Sequence, residues 1–290
     1  MAGAKIIKKR IQSVRNTRKI TRTMEMVSTA KSKKLVDRVH ASQPYAQKLQ
    51  SMMNSLAGLA DSIESPYLRK EEHPRKFALL VITANRGLCG GYNTNVLKAA
   101  RARMAEIRQG GGKVTVYMVG KKGVSFFRFV KEPVEKAYTD IDDAFTFEQA
   151  EDIALGFMQA FTDRRFDQIE IISTIYYSSG SQRPGIRQLL PLGLGQKAGA
   201  DEQGPKGPVI YNPEPESIAR QMLPLAVKTA VFGALLEATA SEQIYRRIAM
   251  KNATDAAGDM LKLLVRTYNR ARQASITQEL SEIVAGADAL

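Results

Sequence analysis

The sequence contains few of the residues that form covalent or metal cross-links. Its 290 residues include one cysteine, Cys89, two histidines, His40 and His73, and no tryptophan. A single cysteine cannot form an intrachain disulfide, and these side chains are too few for a four-ligand zinc site. We therefore expect neither a disulfide framework nor a Cys/His metal site within the chain.

The sequence also lacks a long hydrophobic run. Charged residues interrupt every apolar stretch before it reaches the roughly 18 to 20 residues that a membrane-spanning helix requires. The segment Met1–Arg10 has neither the apolar core nor the small-residue cleavage site of a signal peptide. We expect a chain that does not cross a bilayer and is not exported, so a cytoplasmic setting is the default.

Positive charge is in large excess and is concentrated near the N-terminus. The formal net charge is +14, although 44% hydrophobic residues indicate a folded globular protein. Such an excess attracts nucleic acid, anionic membranes or acidic proteins, and its sign does not choose among them. A basic coiled coil that binds nucleic acid is one hypothesis, but no aromatic residue precedes Tyr45 to stack on bases and no DNA-binding motif is recognised. The basic residues of this region are Lys5, Lys8, Lys9, Arg10, Arg15, Arg18, Lys19, Arg22, Lys31, Lys33, Lys34 and Arg38.

Both ends of the chain show helical periodicity. From Ile6 to about Leu59 and from Glu216 to about Ala285, apolar residues recur at steps of three and four and glycines are sparse. Neither helix can bury its thin apolar stripe alone, so we predict that the two pair as an antiparallel coiled coil. Pro44 is expected to kink the first helix or to mark its entry into the next domain. The C-terminal helix is the longer, so its end should protrude unpaired.

The middle of the chain alternates between strand and helix patterns. Such alternation indicates a layered α/β domain with a largely parallel sheet, and nearly continuous apolar strands indicate burial on both faces. The predicted strands are Phe77–Thr83, Val114–Val119 and Ile169–Tyr177, and the predicted helices are Asn95–Arg108, Gly123–Phe129 and Phe147–Phe161. The predicted fold class is α/β, with a long antiparallel coiled coil of the N- and C-terminal helices plus a Rossmann-like α/β globular domain. The expected segments are the N-terminal helix (1–60), the α/β domain (61–210) and the C-terminal helix (211–290).

A glycine-rich turn raises the possibility of an enzyme. Residues 86–91 (RGLCGG) follow a predicted strand and precede a predicted helix, where a phosphate-binding loop would lie. A dinucleotide-dependent enzyme is therefore an alternative. The spacing is neither GxGxxG nor GxxxxGK[ST], however, and no lysine or hydroxyl stands where magnesium and phosphate would need it. We interpret the segment as a tight structural turn.

Three segments agree with a known family. They are KIIKKRIQSVRNTRKITRTMEMVSTAK at residues 5–31, RGLCGGYN at residues 86–93 and ARQASITQELSEIVAGA at residues 271–287. In this order they resemble the N-terminal helix, the turn after the first strand and the C-terminal helix end of F-type ATP synthase gamma subunits. The resemblance extends across almost the whole chain.

The resemblance implies a central-stalk rotor subunit that carries no catalytic site, no metal site and no bound cofactor of its own. In that family the coiled coil inserts into a ring of α and β subunits, and the globular domain rests on the membrane c ring and the epsilon subunit. Proton flow turns the shaft, which couples proton translocation to ATP synthesis and regulates ATPase activity and proton flow. The implied location is the cytoplasmic face of a bacterial plasma (inner) membrane. Membrane contact is then made only through the complex, and nucleic acid is not a partner.

The resemblance also implies contacts with the β subunits. Arg272, Gln273, Thr277 and Glu279 match polar positions at which family members meet a β-subunit loop. Weak, exposed polar contacts suit an interface that is exchanged as a shaft turns. Without the resemblance, an ordinary solvated helix face is the favoured interpretation.

Further site residues follow from the same resemblance. Met24 lies in the family pattern TxxMxMV and is expected near Arg246 at a turning interface, while an ordinary role in the coiled-coil seam can hold at the same time. Tyr211 and Glu214 match the region that faces the c ring or epsilon, and a proline-rich connector is the alternative. Asn85 stands where relatives more often carry aspartate.

One family feature is missing from this sequence. Photosynthetic relatives carry an inserted cysteine pair in the middle domain that switches the enzyme by redox. Cys89 alone cannot form such a bond. We therefore expect no thiol regulation.

Overall fold

The computed structural model describes residues 2–56, 63–193 and 214–288. The chain forms two compact units, one comprising Met1–Ala30 with Arg246–Leu290 and the other comprising Lys31–Tyr245. The helices are α1 (Ala2–Ser55), α2 (Tyr92–Gln109), α3 (Lys121–Phe129), α4 (Phe147–Thr162) and α5 (Pro215–Asp288), with a short 3-10 helix at Pro66–Leu68. The strands are β1 (Lys76–Ile82), β2 (Lys113–Val119), β3 (Lys136–Tyr138), β4 (Gln168–Ser178) and β5 (Ser181–Leu190). The predicted segments 1–60, 61–210 and 211–290 follow the order of helices and domain along the chain, whereas the two compact units each combine separate parts of the chain or of its long helices. The predicted segments stay a prediction.

The unit Lys31–Tyr245 is built on a five-stranded sheet in the order β3-β2-β1-β4-β5. β1 pairs in parallel with β2 and β4, and β2 pairs in parallel with β3. β5 runs antiparallel to β4 at one edge. The predicted α/β fold with a largely parallel sheet is therefore confirmed.

The central strands are buried on both faces, as their continuous apolar sequences predict. Every residue of β1 after the first is buried. One face packs against α2 and α3, where Val96 and Phe127 belong to one apolar cluster. The other face packs against α4 and the parts of α1 and α5 within this unit, where Phe157 and Leu235 belong to a second cluster. The sheet is thus the middle of three layers.

Three of the strands and all three intervening helices agree with the predicted segments, whereas β3 and β5 were not predicted. β3 has only three residues, and both missed strands lie at edges of the sheet, where most of their side chains are not buried. Neither segment therefore needs the apolar run by which a strand is recognised. Pro184 and Gly185 also lie inside β5 and argue against a strand at the level of sequence.

Helix α1 continues without interruption through Pro44 to Ser55. Leu35 and Val39 already belong to the apolar core of the α/β unit. The helix therefore enters that unit before the proline, and Pro44 does not mark the entry.

Among the residues that the structure describes, helix α5 contains a stretch long and apolar enough to cross a membrane. An 18-residue window within Pro215–Ala285 has a mean hydropathy of 1.4. Half of that window is buried inside the protein, as in the core helix of a globular unit. Length and composition are therefore weak evidence for a span.

Candidate functional site

The unit formed by the two chain ends is a coiled coil with a seven-residue repeat. Its seam positions are wholly or partly buried, while most of the residues between them are exposed. On α5 the spacing alternates regularly between three and four, which is the geometry of a left-handed two-stranded coil. The seam residues of α1 are Ile7, Ile11, Val14, Thr21 and Ser28, and those of α5 are Thr254, Ala257, Leu261, Leu264, Tyr268, Ala271 and Ser275.

Two contacts fix the direction and register of this pair. The Thr254 hydroxyl lies 2.9 Å from the Thr21 hydroxyl. A Cβ atom added to Gly258 would lie 3.6 Å from Nε of Arg18. As the residue number increases along α5, the number of the residue that it meets on α1 decreases. The predicted antiparallel pairing is therefore confirmed.

The part of the seam that carries Met24 and Arg246 is unusually polar. Ser28, Arg246 and Thr254 are buried, and Met24 is partly buried. Continuing the register from Thr21 and Thr254 places Lys251 opposite Met24. Arg246 lies five residues from Lys251, or about 7.5 Å along the axis. The long arginine side chain can cover that distance, so the expected proximity of Met24 and Arg246 stays a prediction.

A basic groove lies between the two helices where the seam is small and polar. Its volume is about 1520 Å³. Arg22 is paired with Glu25 at 3.1 Å, and Lys262 is paired with Asp259 at 3.0 Å. Even so, cationic residues outnumber anionic ones, and the groove would attract an acidic partner. The charged residues that line it are Arg15, Arg18, Lys19, Arg22, Lys262, Arg266, Asp255 and Asp259.

The four polar residues expected to meet the β subunits all lie exposed near the end of α5. The Thr277 hydroxyl donates to the carbonyl of Gln273 at 3.0 Å, and the Ser275 hydroxyl donates to Oε1 of Glu279 at 3.3 Å. These bonds span single helical turns and leave Arg272 and Glu279 at the surface. A partner loop could therefore reach all four residues, and that contact stays a prediction.

The same helix end carries an apolar stripe that sequence analysis missed. Ile276, Leu280, Ile283 and Val284 are between 48% and 68% exposed. Their spacing of four, three and one places them on one helix face. The regular spacing in ITQELSEIV was a visible signal. An exposed apolar face of this kind is typical of a surface that a partner covers.

Of the two residues expected to face the c ring or epsilon, only Glu214 is among the residues that the structure describes. Glu214 is exposed immediately before α5, and its carbonyl accepts a hydrogen bond from the amide of Ile218 at 3.2 Å. Tyr211 lies outside the described residues. The expected contact of these two residues with the c ring or epsilon stays a prediction.

The turn after β1 is a packed structural element rather than an open phosphate loop. Leu88 and Gly90 adopt positive φ angles of 63° and 55°. Cys89 and Tyr92 are buried in one apolar cluster, and the Tyr245 ring meets the Tyr92 ring edge-on with the centroids 6.0 Å apart. Side chains from α2 and α5 therefore occupy the space beside the turn, which supports its interpretation as a tight structural turn.

Asn85, which precedes this turn, uses both ends of its amide. Its nitrogen donates to the carbonyl of Ile141 at 2.6 Å, and its oxygen accepts from the amide of Lys121 at 3.0 Å. An aspartate could accept from Lys121 but could not donate to Ile141 when ionised. The asparagine is therefore suited to its local contacts.

The clearest shifts of pKa occur in the α/β unit and have structural causes. Hydrogen bonds from Arg108 lower the pKa of Glu132. Burial raises the pKa of Tyr138 to about 12 and also raises that of Tyr117. These shifts hold the carboxylate ionised and the phenols neutral near pH 7, unlike the near-neutral pKa values that suit general acid or base catalysis.

Comparison with known proteins gives one consistent result. A protein-family model described as ATP synthase matches residues 3–290. The chain is 51% identical to an ATP synthase gamma chain of Leptospira biflexa, with 100% of each chain covered. A solved structure of the Euglena gracilis mitochondrial ATP synthase rotor matches with a TM-score of 0.66 at 19% identity, covering 95% of this chain and 99% of that one. A second structure of that enzyme, comprising OSCP, F1 and c-ring, matches with a TM-score of 0.69 at 20% identity, covering 99% and 94%.

Proposed function

Because this chain belongs to the ATP synthase gamma-chain family, we propose that it is the central-stalk rotor subunit of a rotary ATP synthase. In this role it transmits torque between a membrane c ring and the catalytic β subunits, so that proton flow is coupled to ATP synthesis. The same linkage lets it regulate ATP hydrolysis and proton flow. The alternative of a nucleic-acid-binding coiled coil has no support from the related proteins.

The observation that carries this proposal is the coiled coil and its exposed end. The α5 seam keeps its repeat from Thr254 to Ser275, and every described side chain between Ile276 and Ala285 is exposed. A paired coil is stiff because side chains interdigitate along its whole length. A helix end with polar residues on some faces and an apolar stripe on another can touch several subunits without being fixed to one.

The proposed mechanism assigns no bond-making step to this chain. Arg272, Gln273, Thr277 and Glu279 meet a loop of a β subunit, and Met24 and Arg246 lie where the shaft turns against the catalytic ring. Exposed polar pairs contribute roughly 0.2–1 kcal/mol each, so they can break and re-form as the shaft rotates. Catalysis of ATP hydrolysis or synthesis belongs to the β subunits, and this chain is non-catalytic.

The proposed partners follow from the basic groove of the coiled coil, from the residues just before α5, and from the family. The basic groove is suited to acidic surfaces of the α and β subunits. Glu214 and Tyr211 face the c ring or the epsilon subunit. Related gamma chains come from bacteria, which supports a location at the cytoplasmic face of the bacterial inner membrane, held there by the complex.

The proposal is tested by reconstitution with purified α and β subunits from the same source. We expect a complex with one copy of this chain per ring, isolated by size-exclusion chromatography, whose ATP hydrolysis is well above that of this chain alone. A version truncated after Ala271 should assemble less tightly, because it lacks the exposed helix end. Folded α and β subunits that form no complex with the intact chain would contradict the proposal.

A further inference from the structure

The loop between β3 and α4 is held firmly to the sheet. Ile141 and Phe145 are buried in the main apolar cluster. The Asn85 amide donates to the Ile141 carbonyl at 2.6 Å. Within the loop, Oδ1 of Asp142 accepts the amide of Ala144 at 2.8 Å and closes a tight turn. The loop therefore moves with the sheet rather than independently of it.

Asp143 extends from this loop and binds both long helices through one carboxylate. Its Oδ2 atom is paired with the ammonium group of Lys31 on α1. Its Oδ1 atom accepts a hydrogen bond from Nε2 of Gln243 on α5 at 3.1 Å. One side chain thus joins the sheet to α1 and α5 at the same level.

A second cation on α1 strengthens the same attachment. Arg38 donates to the carbonyl of Asp143 at 3.4 Å and to the carbonyl of Phe145 at 3.1 Å. Its guanidinium also lies 5.5 Å from the centroid of the Phe145 ring. Lys31 and Arg38 are seven residues apart, so they lie on the same face of α1, about two helical turns from each other. Both therefore contact the loop from one side of the helix.

Two small buried side chains lie next to the attachment, one on each helix. Ser32 on α1 and Ser241 on α5 are buried there, and both side chains are small. Apolar contact is not directional, whereas a charge-assisted hydrogen bond fixes the angle and position of its partners. The carboxylate is therefore well placed to resist rotation of the helices relative to the sheet.

We infer that Asp143 is a positioning residue that transmits torque from the α/β unit to α1 and α5, an inference that rests on the proposed rotor function. The exposed fractions of the Lys31 and Asp143 side chains are 42% and 30%, so the pair contributes little to folding. Loss of the carboxylate should therefore leave folding and assembly intact while letting the helices slip under load.

The test uses the complete enzyme reconstituted in vesicles, with ATP hydrolysis and ATP-driven proton pumping measured on the same sample. For Asp143→Ala we expect at least a twofold fall in protons pumped per ATP hydrolysed, with hydrolysis close to that of the unaltered enzyme. Asp143→Asn keeps the hydrogen-bond acceptor for Gln243 but loses the charge. Its ratio of protons pumped per ATP hydrolysed should lie between those of Asp143→Ala and the unaltered enzyme. The exchange Asp143→Lys with Lys31→Asp should recover part of the ratio, because it restores an ion pair between the loop and α1.

Glu132→Gln is the matched control, because it removes an ion pair with Arg108 at 2.8 Å that joins two elements of the α/β unit without touching α1 or α5. An unchanged ratio in active Asp143→Ala enzyme, or an equal fall in Glu132→Gln, would overturn the inference. If Asp143→Ala does not assemble, the ratio measured with Asp143→Asn decides in the same way. If the unaltered chain itself supports neither hydrolysis nor pumping, the proposed function fails instead.

Discussion

Three helical glycines should respond differently to alanine because their surroundings differ. A glycine inside a helix costs about 0.5–1 kcal/mol relative to alanine, since it loses more backbone freedom on folding. A Cβ atom at Gly258 would meet Arg18 at 3.6 Å, an ordinary contact with a flexible side chain, and a Cβ atom at Gly233 would meet nothing within 4 Å. Gly258→Ala and Gly233→Ala should therefore each stabilise α5 by about 0.5–1 kcal/mol.

Gly123→Ala should have the opposite effect. A Cβ atom there would lie 2.3 Å from Sδ of Met118 and 2.7 Å from Oγ1 of Thr83. That oxygen also accepts the Gly123 amide at 3.0 Å, so moving Thr83 away would strain a buried hydrogen bond. Overpacking of this kind costs about 1–3 kcal/mol, which exceeds the gain in helix propensity. The net change should be destabilising.

The assay is urea unfolding of the three variants, followed by circular dichroism and by hydrogen exchange of amides near each glycine. Local exchange is needed because a chain with two compact units need not unfold in one step. We expect slower exchange around positions 258 and 233 and faster exchange around position 123. A destabilising effect of Gly258→Ala, or a stabilising effect of Gly123→Ala, would refute the reasoning.

Further predictions concern the seam, a buried ion pair and an exposed one. Met24→Lys should leave folding intact but lower the protons pumped per ATP, because it adds a charge at the proposed turning interface, and unchanged coupled pumping would contradict this. Arg103→Met should destabilise the chain by about 3–5 kcal/mol in urea, since it strands the buried carboxylate of Glu170 now bonded at 2.6 and 2.8 Å, whereas adding Glu170→Leu should recover most of the loss. Arg108 lowers the pKa of Glu132. The ion pair between them therefore stabilises the folded chain at pH values above the ordinary carboxyl pKa, and this stabilisation is lost as the pH falls through the lowered pKa. Glu132→Gln should therefore cost less than about 1 kcal/mol at pH 7 and nothing in strong acid, and a loss independent of pH would rule this out.

The parts of the fold that depend on apolar periodicity could be predicted from the sequence. The coiled-coil helices carry a repeating pattern because each buries one face, and β1 carries a continuous apolar run because both of its faces are buried. Their positions therefore follow from the residues themselves. β5 could not be predicted in this way, since an edge strand is stabilised by backbone pairing with β4 and needs no apolar run. The continuation of α1 past Pro44 to Ser55 agrees with the helix predicted from Ile6 to about Leu59, because the apolar periodicity extends beyond the proline.

The candidate site was predicted only where the family resemblance or helical spacing identified residues. Arg272 and Glu279 lie on an exposed helix end as expected. The link from Asp143 to Lys31 and Gln243 joins residues that are about 100 positions apart in sequence. No periodicity can reveal such a contact, because it depends on how the sheet places its loops against the helices.

The most direct test of the central claim is to watch this chain rotate. The substitution Phe129→Cys introduces a cysteine for attachment of a bead at a position where the side chain is 83% exposed. The buried native cysteine is removed by Cys89→Ser, so that the bead attaches at one place. The chain is then assembled with α and β subunits fixed to a surface, and ATP is added. The rotor proposal predicts sustained rotation of the bead in one direction that stops when ATP is removed. ATP hydrolysis by the assembled complex without rotation of the bead would contradict it.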